Sequence, residues 1–144
     1  GASEAGVISY VQRALTDAYP EFVPLYRAGC RALDRHARTR FGLGFLRVDD
    51  AERDSVLADF EASRVPDFPR AAAFFETLRT HTMEGVFGEP SYGGNRGLVG
   101  WRIVGFPGHQ FGYDDPYIDR VVDIEPVAVE RPARSKEAWR GRAS

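Results

Sequence analysis

The stretch from Phe74 to Gly108, FFETLRTHTMEGVFGEPSYGGNRGLVGWRIVGFPG, constrains this chain more than any other. An apolar run with helical spacing leads into a glycine-dense segment that still carries Phe87, Tyr92, Trp101, Ile103 and Phe106. A linker would have the glycines without that apolar surface, and an ordinary core element would have the reverse. The combination predicts an ordered loop packed against something and shaped to fit it.

The segments around it read as helices. Ser3 to Asp17 has a capping serine and then Val7, Ile8, Val11 and Leu15 at helical spacing. A second helix, from Glu21 to Arg40, aligns Phe22, Leu25, Tyr26, Gly29, Cys30, Leu33 and Ala37 in one stripe. Gly29 costs about 1 kcal/mol against alanine in a helix interior, which a close helix crossing would explain. Phe41-Gly42 supplies the C-terminal stop. Asp49-x-x-Glu52 forms a capping-box pattern for a third, acidic helix reaching Ala62, with Val56, Leu57 and Phe60 inward. A fourth helix, Arg70 to Glu84, follows Pro69 and turns Phe74, Phe75, Leu78 and Thr82 inward. Val99, Trp101 and Ile103 alternate like a strand, while Leu98 and Arg102 fit a short helix equally well, so both remain open. The predicted fold is mainly α: a small domain of about four helices over residues 3–108 with a long ordered Gly/aromatic loop. An extended C-terminal arm follows at 109–144, where Val121, Val122, Ile124 and Val127 form a candidate strand and Trp139 lies among basic residues.

Composition limits the function. The 144 residues suffice for one core, and 43% are hydrophobic. No window approaches the roughly 20 apolar residues of a membrane span. A net charge of −2 argues against general nucleic-acid binding. Arg27, Arg31, Arg35 and Arg38 nevertheless share one face of the second helix. That face reads as solvated, as an anion-binding surface, or as paired with the acidic third helix. Gly1-Ala2-Ser3 opens directly into a helical pattern, without an evident export signal. Cys30 is the sole cysteine, so it reads either as a small buried or half-buried thiol or as a candidate for an interchain disulfide.

The loop fails the common chemical tests. Gly100 to Gly105 has phosphate-loop spacing, but Phe106 and Pro107 stand where Lys and Ser or Thr are needed. GxGxxG, HExxH and G-x-S-x-G are absent, and His36, His81 and His109 are scattered. His81 is expected as a capping or interface residue near a helix C-terminus. Asp49-Asp50 and Asp114-Asp115 are accounted for by a helix start and a turn. The residues themselves therefore read as a non-catalytic domain with an unusual contact loop.

The pattern Phe74-Phe75-x-x-Leu78-Arg79-x-His81-Thr82-x-Glu84-Gly85-x-Phe87-Gly88-x-Pro90-x-Tyr92-Gly93-Gly94-Asn95-Arg96, followed by Val99-Gly100-Trp101-x-Ile103-x-Gly105-Phe106-Pro107-Gly108, resembles the gluconate 2-dehydrogenase subunit 3 family. Leu33-Asp34 and Phe41-Gly42 fit it too, and the resemblance spans Val7 to Gly108. It implies a non-catalytic small subunit that binds no cofactor itself. The implied partner is a large FAD flavoprotein of the glucose-methanol-choline type that oxidises a sugar, sugar acid or polyol. A multihaem cytochrome c subunit, and iron–sulfur or haem c groups elsewhere in the complex, are further implied. So are a periplasmic site peripheral to the inner membrane, stabilisation of the flavoprotein and its twin-arginine export.

On that resemblance Tyr92, Gly93, Gly94, Asn95, Arg96, Trp101 and Phe106 form the expected partner interface. Aromatic anchors and arginine are the residue types enriched at interface hot spots. Asn95 is also expected to hold the turn through its own side chain, and Trp101 and Phe106 have folding back onto the fourth helix as their alternative. Two other readings stand beside this one. In the first the loop covers a small molecule near His81 and Glu84, as a stand-alone binding domain or enzyme. In the second the arginine face and basic tail bind an anion.

Overall fold

The computed structural model describes residues 1–108, 125, 126 and 128. Five α-helices follow one another: α1 (Val7–Asp17), α2 (Val23–Phe41), α3 (Asp50–Glu61), α4 (Ala71–Phe87) and α5 (Val99–Val104). Short 3₁₀ turns at Pro20–Phe22, Pro90–Tyr92 and Arg96–Leu98 lie between them. The mainly helical fold is as the sequence predicts, with α5 resolving the open segment as helix.

Local signals set most helix ends. The capping box of α3 is complete: the Glu52 amide donates to Asp49 Oδ1 at 2.8 Å, and the Asp49 amide donates to Glu52 Oε2 at 3.0 Å. At the end of α2, Gly42 takes a left-handed conformation and its amide donates to the Arg38 carbonyl. The start of α1 differs from expectation. Ser3 does not cap it; a turn over the first residues leads to Gly6, left-handed at φ 70°, and the helix begins at Val7.

The main core lies between α2, α3 and α4. Leu25, Ala32, Leu33 and Ala37 of α2 meet Val56 and Phe60 of α3, Val65 and Phe68 of the connection, and Ala71 and Phe74 of α4. Phe74 is 1% exposed and packs edge-on to Phe60, Phe68 and Tyr26. Its ring occupies the space above Gly29, where a Cβ would come within 2.3 Å of it. The crossing inferred from Gly29 is thus present, and Phe74 is the side chain that requires it. A second cluster of Ala5, Val7 and Val11, joined by Tyr10, Tyr26 and Val86, seats α1 on α4.

Cys30 departs from the expected stripe. It is exposed, because the buried face of α2 is centred on Leu25, Gly29, Ala32 and Leu33. At about 100° per residue, Cys30 falls beyond the edge of that face.

The acidic α3 does meet α2, but through Asp59. This carboxylate accepts from His36 at 2.9 Å, Arg40 at 2.6 Å and Arg64 at 3.1 Å. Partial burial pushes the Asp59 carboxyl up, but the His36 and Arg64 hydrogen bonds and the Arg40 charge outweigh this and hold it below its ordinary range.

The expected arm at 109–144 lies outside the described residues except for Glu125, Pro126 and Ala128; the candidate strand and Trp139 fall among the rest. Glu125 accepts from Arg102 Nε at 2.8 Å, and Pro126 is buried.

Candidate functional site

The C-terminus of α4 explains the glycine loop. The last carbonyls of an α-helix have no partner within the helix. Here the Gly88 amide donates to the Glu84 carbonyl at 2.8 Å, and the Asn95 amide donates to the Gly85 carbonyl at 2.7 Å. Trp101 Nε1 donates to the Phe87 carbonyl at 2.8 Å, and Asn95 Nδ2 to the Gly88 carbonyl at 3.1 Å. Asn95 Oδ1 accepts from the Gly100 amide at 2.8 Å. One buried amide side chain thus joins the end of α4 to the start of α5.

This return requires backbone against backbone. A Cβ at Gly94 would lie 2.1 Å from the Gly85 carbonyl oxygen, and one at Gly100 would lie 1.9 Å from that of Val86. Both positions exclude any side chain. The loop is also stitched to the N-terminus: the Arg96 amide donates to the Ala5 carbonyl at 2.9 Å, and Arg13 Nη1 to the Ser91 carbonyl at 2.7 Å.

The expected interface residues therefore divide into two groups. Gly94, Asn95 and Trp101 are buried inside the chain; Asn95 is 0% exposed and Trp101 4%. Trp101 takes its alternative role, folded back on α4, and Asn95 holds the turn through its side chain. Gly93 is half-buried beside Ser9 and Tyr10 of α1. Tyr92, Arg96 and Phe106 face outward. The Arg96 guanidinium lies over Gly6 and has no ion pair among the described residues. Phe106 rests edge-on against Trp101, with ring centroids 4.9 Å apart, and is 41% exposed.

Two residues outside the expected interface join the outward group. Ile103 and Val104 are exposed at 68% and 58%. A strand would have put Trp101 and Ile103 on the same face; the helix turns them about 200° apart, so burying Trp101 presents Ile103 to solvent. Ile103, Val104 and Phe106 thus expose apolar side chains at and just after the end of α5.

His81 and Glu84 do not share a polar site. His81 is 4% exposed, stacked between Tyr19 and Tyr26 with centroids 5.0 and 5.8 Å away, and its Nδ1 lies 3.0 Å from the Tyr26 hydroxyl. The expected capping role is replaced by an aromatic stack, because His81 lies more than a turn inside α4, which continues to Phe87. Glu84 accepts from the Tyr10 hydroxyl at 2.7 Å. Burial, then the Glu84 hydrogen bond, pushes the Tyr10 hydroxyl well up, and burial pushes that of Tyr26 up to about 12. Both hydroxyls therefore stay protonated across the physiological range.

A cleft of about 400 Å³ opens beside this stack, lined by Tyr10, Arg13, Asp17, Ala18, Tyr19 and Tyr92. Among the described residues, no group of three or more His, Cys, Asp or Glu is placed to hold a metal ion. No helix there is long and apolar enough to cross a membrane.

No curated protein and no solved structure matches the chain. A family model does: gluconate 2-dehydrogenase subunit 3 matches residues 1–108. The match takes in all five helices and the loop that closes α4. The chain belongs to the gluconate 2-dehydrogenase subunit 3 family.

Proposed function

We propose that this chain is the non-catalytic small subunit of an FAD-dependent dehydrogenase complex, and that it docks and stabilises the large flavoprotein through the outer face of the loop. The observation that carries this reading is the division of the loop. Its inner residues are committed to closing α4, so Tyr92, Arg96, Ile103, Val104 and Phe106 project from a fixed base. An outward aromatic, an exposed arginine without an ion pair among the described residues and exposed apolar side chains are what an interface centre uses. The family assignment supports a dehydrogenase complex as the setting.

The partner in this reading is a glucose-methanol-choline type flavoprotein oxidising a sugar, sugar acid or polyol, with FAD bound there and no cofactor in this chain. A multihaem cytochrome c accepts the electrons. The complex sits at the periplasmic face of the inner membrane, and the small subunit accompanies the flavoprotein through twin-arginine export. Co-expression of the chain with its flavoprotein tests this. Tyr92→Ala and Arg96→Ala should reduce recovery of the flavoprotein while leaving the melting temperature of the isolated chain within a few degrees of wild type. A purified chain that alone reduces a dye with a sugar would overturn the reading.

The aromatic cleft supports a second reading, as a small-molecule site. Its volume falls in the range of ligand pockets, and three tyrosines wall it. Ligand-dependent stabilisation of the chain without any second protein would favour it.

A further inference from the structure

We infer that the outward face of α2 is a second docking surface, electrostatic in character, for a discrete acidic patch on the flavoprotein; this rests on the reading of the chain as a dehydrogenase small subunit. Arg27, Arg31 and Arg35 recur every four residues along about 12 Å of helix. All three are exposed. None forms an ion pair among the described residues; Arg31 Nε donates to the Arg27 carbonyl at 3.0 Å.

Among the described residues, two acids near this face are engaged with other groups. Asp34, on the same side of α2, accepts from Arg38 at 2.8 Å and from the Phe45 amide at 3.1 Å. The hydrogen bond from Arg38 holds its carboxyl below the ordinary range. Asp59 of α3 is taken by His36, Arg40 and Arg64. Like charges at i, i+4 destabilise a helix. The chain carries this arrangement while its net charge is −2.

The shape of the charge distribution selects the kind of partner. Both α3 and α4 pack against α2, and α3 exposes Asp50, Asp54 and Glu61. A long polyanion or an anionic bilayer would also be repelled by the acids of a chain whose net charge is −2. A local acidic patch, matched to one helix face, would not. Cys30 is exposed at the border of the same face, between Arg27 and Arg31 in sequence. It gives a built-in reporter of whether the face is covered.

The experiment compares tagged full-length chain, its Arg27→Glu/Arg31→Glu/Arg35→Glu variant and the corresponding triple Lys variant, each co-expressed with the flavoprotein. Recovery is read from flavin absorbance and subunit mass at rising salt, and maleimide modification of Cys30 is followed, with reductant present, in the free chain and in the complex. Wild-type recovery should fall with salt, the Glu variant should recover at least tenfold less flavoprotein, and the Lys variant should stay near wild type. Cys30 should be modified at least tenfold more slowly in the complex. Circular dichroism matching wild type confirms that the Glu variant is folded.

Equal recovery by a folded Glu variant overturns the inference and leaves the loop interface standing. Recovery of no flavoprotein even by wild type overturns the small-subunit reading and this inference with it. Three results would reassign the face and overturn its role in docking the flavoprotein. They are salt-sensitive self-association of the chain that the Glu variant abolishes, or tight binding through these arginines to single-stranded DNA or to phosphatidylserine vesicles.

Discussion

The ring of Phe74 fills the position that a side chain at Gly29 would occupy: a Cβ there would stand 2.3 Å from Cδ2 and 2.4 Å from Cγ. Because Cγ lies on the axis of ring rotation, flipping the ring cannot clear the contact, and changing χ1 would drive a 1% exposed ring into its packed neighbours. Helix propensity alone would make Gly29→Ala stabilising by about 1 kcal/mol. The packing reverses the sign, and the substitution should destabilise the fold by about 1–3 kcal/mol, the usual range for overpacking. The midpoint of urea unfolding decides between the two.

Asn95 is the keystone of the loop, buried at φ 44° with its side chain bonded to Gly88 and Gly100. Asn95→Ala leaves the buried Gly100 amide without a partner, at about 1–3 kcal/mol, and the half-buried Gly88 carbonyl without its side-chain donor, which costs less. It should be more destabilising than Arg96→Ala, whose side chain is exposed. Hydrogen exchange should rise at the Gly100 amide in the Asn95 variant and stay at the wild-type rate in the Arg96 variant. Matching stabilities for the two variants would show that the buried bonds matter less than their geometry implies.

Asp59 gives the fold an acid-sensitive joint. Its carboxyl lies below the ordinary range in the folded chain, so the proton is bound less readily there than in the unfolded chain. The stabilisation is fully present above the unfolded value of about 3.9 and is lost as pH falls through the lower folded value. Asp59→Asn should therefore be less stable than wild type at pH 7, and the gap should close as pH drops below about 4. A gap that stays constant from pH 7 to pH 3 would show that the ion pairs contribute nothing that titrates.

Cys30 should react with a thiol reagent in the native chain, giving one equivalent without denaturant, because its side chain is exposed. Partial desolvation of the sulfur by its neighbours nonetheless pushes the thiol up from its ordinary value. Reaction should accordingly be slow at pH 7 and accelerate about tenfold per pH unit, continuing to rise beyond about 8.5. Reaction only after unfolding would place Cys30 in the core.

The parts legible in the sequence are those set by neighbours along the chain. Asp49 and Glu52 reach each other within one turn, so the capping box can be read directly. The glycine at position 29 announced a crossing but did not name Phe74, because forty-five positions separate the two and only packing brings them together. Cys30 was misassigned to the core face for a related reason. Periodicity gives the angle of a residue on its helix, but the width of the buried face depends on which neighbours cover it. The segment at Val99–Ile103 was open between strand and helix, and with it the exposure of Ile103.

The loop shows the same division. From the sequence alone came its order, its aromatic content and its family, since glycine spacing and turn residues act locally and a motif is a property of the string. Only the tertiary structure decided which of its residues look inward. Unpaired carbonyls at the end of α4 must be met by some donor, and the fold brings Asn95 and Trp101 to them, leaving Tyr92, Arg96 and Phe106 outside. That assignment depends on hydrogen-bond partners distant in the chain, and no local pattern carries it.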